Sequence, residues 1–190
     1  MIQLKSEVIK TNSSFLNIYA VNNTDLLDRC IEECKDKLED VTTRKVSFFS
    51  DVITEDYMYG KFRVCKSQKL TPALKEILDF INVRFNSDYN GIIINYYKDG
   101  SQYIEKHSDS QNHPLNGVLL ISYGGLRNFR VFDKTTDIKV KDIPLVMGEM
   151  VHMGGEFQSE FTHDVEQDET ITEERYSISF HKYMGLGLYE

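Results

Sequence analysis

Residues 105–110 read EKHSDS, and the reading of this stretch decides what kind of sheet protein the chain is. His107 and Asp109 stand two apart, a spacing that turns both side chains to one face of a β-strand. A histidine and a carboxylate sharing a face are two of the three ligands in the 2-His-1-carboxylate arrangement that holds non-haem iron. Most such triplets carry no metal, so a third ligand must come from elsewhere. The other histidines are His113, His152, His163 and His181. His163, in SEFTHDV (159–165), lies on a strand-like segment well downstream and fits best. His113 precedes Pro114 in a polar stretch and reads as loop, whereas His152, in EMVHMGG (149–155), reads as core or rim.

Outward from the triplet, the chain after residue 90 is a series of short β-like runs. These are GIIINYY (91–97), QYIEKHSD (102–109), VLLISY (118–123), NFRVFD (128–133), IPLVMGEMVHM (143–153), EFTHDV (160–165) and RYSISFHKY (175–183). Many short strands at regular spacing predict a sandwich or barrel. Upstream, Leu27, Ile31, Cys34 and Leu38 recur at helical spacing, predicting a helix over 24–39 capped by Thr24 or Asp25. LTPALKEILDFINVRF (70–85) predicts a second helix with Thr71 as its cap and Pro72 in its first turn. Helices first and strands after give an α+β class, with the helices buttressing one sheet of a double-sheet fold. The expected organisation is a single domain over 1–190, with helices and a lid segment in 1–90 and the β-rich core in 91–183.

The last run carries a second signal. Alternation puts Tyr176, Ile178 and Phe180 on one face and Arg175, Ser177, Ser179 and His181 on the other. A cation aimed into a barrel needs a partner, and a dicarboxylate matches the planar fork of an arginine.

Composition narrows the class further. Net charge is −8, which argues against nucleic-acid binding by bulk electrostatics, although TTRKVSFF (42–49) and KFRVCKSQK (61–69) gather basic residues locally. No apolar run is long enough to cross a bilayer, and the first ten residues lack a signal-peptide core. Cys30, Cys34 and Cys65 are a sparse, odd set without a CxxC pair, which fits a soluble protein of a reducing, intracellular compartment, cytoplasmic or nuclear.

From about residue 44 to 183 the chain resembles the AlkB family of Fe(II)/2-oxoglutarate dioxygenases. INYYKDG (94–100), HSD (107–109), ISYGGLRNF (121–129), MGGEFQSEFTHDV (153–165) and RYSISF (175–180) resemble that family's motifs in their proper order. The resemblance implies a double-stranded β-helix, or jelly-roll, core using Fe(II), 2-oxoglutarate and O2. It assigns the metal and catalytic role to His107, Asp109 and His163. Asn95, Tyr97, Arg175 and His181 take the cosubstrate, His181 standing where the family has a second Arg. TRKVSFFSDVITEDYMYG (43–60) resembles the family's lid, which makes Arg44 and Tyr59 candidate substrate contacts and Phe48, Phe49 and Tyr57 either stacking surfaces or lid packing. Ser110 and Gln111 follow the triplet where DNA-repair members often carry an acid, so they too are candidate substrate contacts. The implied activity is oxidative demethylation of N-alkylated nucleobases in DNA or RNA, by a monomer that does not engage membranes. Two alternatives stay open: a hydroxylase of the same superfamily acting on a protein or small molecule, and a catalytically weak binding module. Prolyl-hydroxylase-like members commonly use a Lys after the distal His, so Arg175 favours AlkB-like membership.

Overall fold

A computed structural model describes residues 2–59, 62–109 and 116–183 of the chain. Ser110, Gln111 and His113 lie outside the described residues, as does the side chain of Tyr59. In chain order the strands are β1 (Ile2–Lys10), β2 (Ser14–Val21), β3 (Glu39–Val41), β4 (Arg44–Phe49), β5 (Tyr57–Tyr59), β6 (Phe62–Cys65), β7 (Ser67–Gln68), β8 (Gly91–Tyr97), β9 (Ile104–His107), β10 (Val118–Gly124), β11 (Arg127–Asp133), β12 (Lys139–Leu145), β13 (Glu149–Gly155), β14 (Phe161–Val165) and β15 (Arg175–His181). The α-helices are α1 (Thr24–Cys34), α2 (Pro72–Phe85) and α3 (Phe157–Glu160).

The strands form two facing sheets. The larger runs β1-β2-β13-β10-β15-β8-β4-β3, with β7 paired to β4, and the smaller runs β12-β11-β14-β9. Within them, β8, β15, β10 and β13 face β9, β14, β11 and β12 respectively, and from β8 to β15 the chain alternates between sheets except at the β11–β12 hairpin, giving a jelly roll. A β5-β6 hairpin pairs with neither sheet but packs on β4, with Tyr57 against Phe48.

Strand alternation divides the side chains between a helix-covered face and an inner face. On β8, Ile92 and Ile94 pack with Leu74, Ile77, Leu78 and Ile81 of α2, while Ile93, Asn95 and Tyr97 face the inner cleft. On β10, Leu119 and Ile121 join the helix side, and Val118 and Leu120 point inward. Each fully buried Leu or Ile on this interface contributes about 1.5–3 kcal/mol of hydrophobic stabilisation, enough to fix which way each strand faces. Cys30 and Cys34 share the buried face of α1, and burial pushes both thiols up to about 12.

Several expectations are corrected. Residues 2–21 form a β-hairpin that extends the large sheet beyond β13, where the sequence reading gave only helices and lid to the N-terminal part. The α1 cap is Asn23, whose side chain accepts from the Leu26 N–H at 3.3 Å, in place of Thr24 or Asp25. The single run expected over 143–153 is two strands, β12 and β13, split at Gly148, whose φ of +79 a residue with a Cβ rarely adopts. At α2 the expectation holds: Thr71 accepts from the Leu74 N–H at 3.3 Å and Pro72 occupies the first turn. Among the described residues, no helix is long and apolar enough to cross a membrane.

Candidate metal and cosubstrate site

The inner cleft encloses about 520 Å³ between the two sheets. Its candidate metal corner is built by one strand pairing. His107 on β9 lies directly across from His163 on β14, which brings the two imidazoles together on the cleft side, ring centroids 4.4 Å apart. Asp109 follows β9 by two residues and turns back between them. Its Oδ1 lies 3.6 Å from His107 Nε2, and its Oδ2 lies 3.5 Å from His163 Nε2. Ligand atoms at ordinary metal–nitrogen and metal–oxygen lengths on one octahedral face are ~3 Å apart, so a small contraction would satisfy an ion. Among the described residues these three form the group whose donor atoms gather closely enough to hold a metal.

Neighbouring groups set the chemical state of the donors. His107 Nδ1 meets the Glu105 carbonyl at 2.7 Å, which makes that nitrogen the protonated one and leaves Nε2 as the ligand atom. His163 is stacked on Phe129, with centroids 5.0 Å apart, and burial, joined by the charge of His107, pushes its imidazole down to about 3. Burial alone would raise the Asp109 carboxyl, but the hydrogen bond from His107 and the charges of His163 and His107 hold it well below the usual carboxylate range. Burial would lower His107 as well, and its contact with Asp109 raises it instead. A neutral His163 beside an ionised Asp109 is the state that metal ligation needs.

The sequence reading missed Gln158. On α3, its Oε1 accepts the Asp109 N–H at 2.8 Å and its Nε2 donates to Asp109 Oδ2 at 3.4 Å, so one side chain holds both ends of the ligand residue. The EFQSEF stretch holds nothing that marks this Gln, because the helix that aims it is a single turn.

Along the opposite wall, β15 carries Arg175, Ser177, Ser179 and His181 into the cleft, while Tyr176, Ile178 and Phe180 pack beneath the helices. Arg175 is 1% exposed and donates from Nε to Ser122 Oγ at 3.0 Å. Its Nη1 and Nη2 are buried without a hydrogen-bond partner among the described residues. Leaving a guanidinium fork unpaired inside a protein is costly, and a carboxylate in the cleft is the group that would relieve it. Asn95 and Tyr97 on β8 line the same region. Arg44 donates from Nε to Asn95 Oδ1 at 2.7 Å, which leaves the Asn95 amide NH2 as a donor. Arg44 thus lines the cleft while tied to a cosubstrate candidate.

The remaining sequence candidates sort by burial. Phe48 and Phe49 are 1% and 0% exposed and pack the lid strand onto the barrel, so neither is a stacking surface. Tyr57 does line the cleft, together with Tyr183 and His181. His152 is a core residue, set edge-on against Phe15 and Phe85 with Nε2 3.0 Å from the Asn116 carbonyl.

The chain matches the family model of the 2OG-Fe(II) oxygenase superfamily over residues 30–185. It is 24% identical over 122 residues to the human (Homo sapiens) DNA oxidative demethylase ALKBH2, an alignment that covers 60% of this chain and 47% of that protein. The chain therefore spans about half the length of that relative. Among solved structures, OsALKBH1 superposes with a TM-score of 0.62 at 13% identity, covering 94% of this chain and 100% of that one. A prolyl-4-hydroxylase from Pseudomonas putida superposes with a TM-score of 0.54 at 14% identity, covering 90% of this chain and 93% of that one. Both show the same jelly-roll fold.

Proposed function

The chain belongs to the 2OG-Fe(II) oxygenase superfamily, whose members use Fe(II), 2-oxoglutarate and O2, and from that premise we propose that it oxidatively demethylates N-alkylated nucleobases in DNA or RNA. The observation that carries this reading is the meeting, in one cleft, of a His-Asp-His donor set with an arginine fork that lacks an anion. O2 is the oxidant; when bound, the iron would activate it and 2-oxoglutarate would supply two of the four electrons it takes, leaving as succinate and carbon dioxide, with the substrate supplying the other two.

The chain's own residues supply position and charge. His107, Asp109 and His163 would hold the ion from one side and leave its other side open to the cleft. Arg175 would take the far carboxylate of the cosubstrate in a bidentate grip, and Asn95, oriented by Arg44, would donate to it. The helix-backed sheet behind β15 keeps water from the guanidinium and so strengthens that grip. Tyr57 and Tyr183 offer aromatic surface at the substrate end, where an unstacked base can lie against a ring. This reading includes action as an intracellular monomer, in keeping with three buried, free cysteines.

Formaldehyde release tests the substrate class. With Fe(II) and 2-oxoglutarate, N-methylated single-stranded DNA and RNA are compared with N-methylated and unmodified peptides. Release from a nucleic acid by the wild type, and none by Asp109→Ala, is expected. Oxidation of peptides alone would replace the demethylase reading with the hydroxylase one.

A further inference from the structure

Behind the cleft wall, against the Tyr97 ring, lies a second buried guanidinium that the catalytic motifs do not use. Arg127 opens β11 and is 1% exposed. It donates from Nη1 to the Asp99 carbonyl at 3.1 Å and from Nη2 to the Gln102 carbonyl at 2.8 Å and the Glu166 carbonyl. Those carbonyls belong to two loops. The β8–β9 loop joins the strand of Asn95 and Tyr97 to the strand of His107, and the β14–β15 loop joins His163 to Arg175. The loops are also laced directly to each other: Gly100 N–H bonds the Ile171 carbonyl, and Asp168 N–H bonds the Gly100 carbonyl, both at 2.8 Å. A Cβ on Gly100 would lie 1.6 Å from the Asp168 carbonyl oxygen, so only glycine permits this approach. One side chain therefore ties together the ends of all four strands that carry the site.

Arg127 is also electrostatically coupled to the cosubstrate wall. Its Cζ and that of Arg175 each lie 5.4 Å from the centroid of the Tyr97 ring. Among the described residues, no carboxylate stands at ion-pair distance from either arginine. Asp168, Asp99 and Glu166 act through space on Arg127 and offset its charge in part, whereas Arg175 is influenced by Tyr97 and by the like charge of Arg127, so the pair retains positive charge that a dianion would neutralise. Its charge still reaches the cosubstrate wall, since it acts through space on Arg175.

We propose that Arg127 is a positioning residue for the dicarboxylate cosubstrate: it registers Tyr97 and Arg175 through the two loops and adds a second positive charge to the pocket. The inference rests on the functional reading above and reaches to a residue outside the metal and arginine motifs.

The test is calorimetric titration of 2-oxoglutarate into protein loaded with Zn(II), which supports binding without turnover, for wild type, Arg127→Met and Arg127→Lys. Zn(II) affinity and circular dichroism are measured alongside. Arg127→Met is expected to weaken 2-oxoglutarate by about tenfold or more, with Arg127→Lys in between, while Zn(II) affinity stays within about threefold of wild type. A folded variant with unchanged cosubstrate affinity would overturn the proposal. So would a parallel fall in metal and cosubstrate affinity, or loss of fold in both variants, since each marks a structural staple only. A wild type that binds Zn(II) but no 2-oxoglutarate would remove the functional reading itself, an outcome distinct from wild-type binding that Arg127→Met leaves intact.

Discussion

The two ends of β15 present opposite chemistry to one cleft. At the first residue, Arg175 is sealed from water with its fork unmatched, and Arg127 sits across the Tyr97 ring. At the last, His181 lies 5.6 Å from the Tyr183 ring, which packs in turn on Phe48, and burial lowers the imidazole so that it is neutral at physiological pH. Both ends are equally buried, so burial alone does not distinguish them. The difference is charge. One end holds a guanidinium fork that an anion would satisfy, and the other holds rings that suit an uncharged flat group. The His-Asp-His donor set lines the same cleft, and Asp109 and His107 act through space on His181.

Removing the centre should have the largest effect. Asp109→Ala is expected to lower Fe(II)-dependent 2-oxoglutarate consumption by at least about 100-fold, read as succinate formed, with circular dichroism unchanged. If turnover persisted, the two ends would have no common centre. Next comes the cationic end. Arg175→Met should weaken 2-oxoglutarate binding by about 10- to 100-fold, the ~1.5–3 kcal/mol of a charge-assisted pair, while leaving the melting temperature of the ligand-free protein equal or higher. A fall in melting temperature would mean that the guanidinium is already satisfied, contrary to the contrast drawn between the ends. Gln158→Ala, which frees both ends of Asp109, should cost about tenfold in metal affinity by titration and leave cosubstrate affinity in the metal-loaded protein nearly unchanged. At the neutral end, His181→Leu should change 2-oxoglutarate affinity by less than about threefold. A loss matching that of Arg175→Met would erase the asymmetry.

The smallest effect is on pH dependence. His163, pushed down to about 3 by burial and by His107, contributes its stability in full above its unfolded value near 6.5 and loses it as pH falls toward 3. His152, lowered by burial, acts in the same direction. His107 opposes them, because Asp109 outweighs burial and raises it, so its contribution is present below 6.5 and is lost as pH rises through the folded value. The melting temperature of the metal-free protein should therefore fall on acidification from about pH 6.5 to 5, and His152→Leu should flatten part of that slope. A flat wild-type profile would contradict the lowered histidines.

How far the sequence disclosed this arrangement depends on what each feature is made of. The β15 faces were legible because strand alternation is strict, and Arg175, Ser177, Ser179 and His181 do share the cleft wall. His107 and His163 were legible as candidates, but their register across β9 and β14 was not, since strand pairing is a long-range choice. Arg127 was invisible for a different reason. Its partners are backbone carbonyls on two loops, and carbonyls carry no residue signature. The β1–β2 hairpin escaped because β1 is exposed along most of its length and bulges twice, which leaves little apolar alternation to read. Asn23 was passed over as a cap in favour of its equally polar neighbours Thr24 and Asp25, a boundary that propensity cannot resolve to one residue.

The most direct test of a cleft with an iron centre and a cationic cosubstrate end is an anaerobic titration of 2-oxoglutarate into the Fe(II)-loaded protein, followed by admission of oxygen and measurement of succinate. Saturable binding that requires Arg175, with succinate formed by the wild type and not by Asp109→Ala, is the predicted result. Binding that is indifferent to Arg175→Met, or an iron-loaded protein that forms no succinate with or without methylated DNA, RNA or peptide, would contradict it.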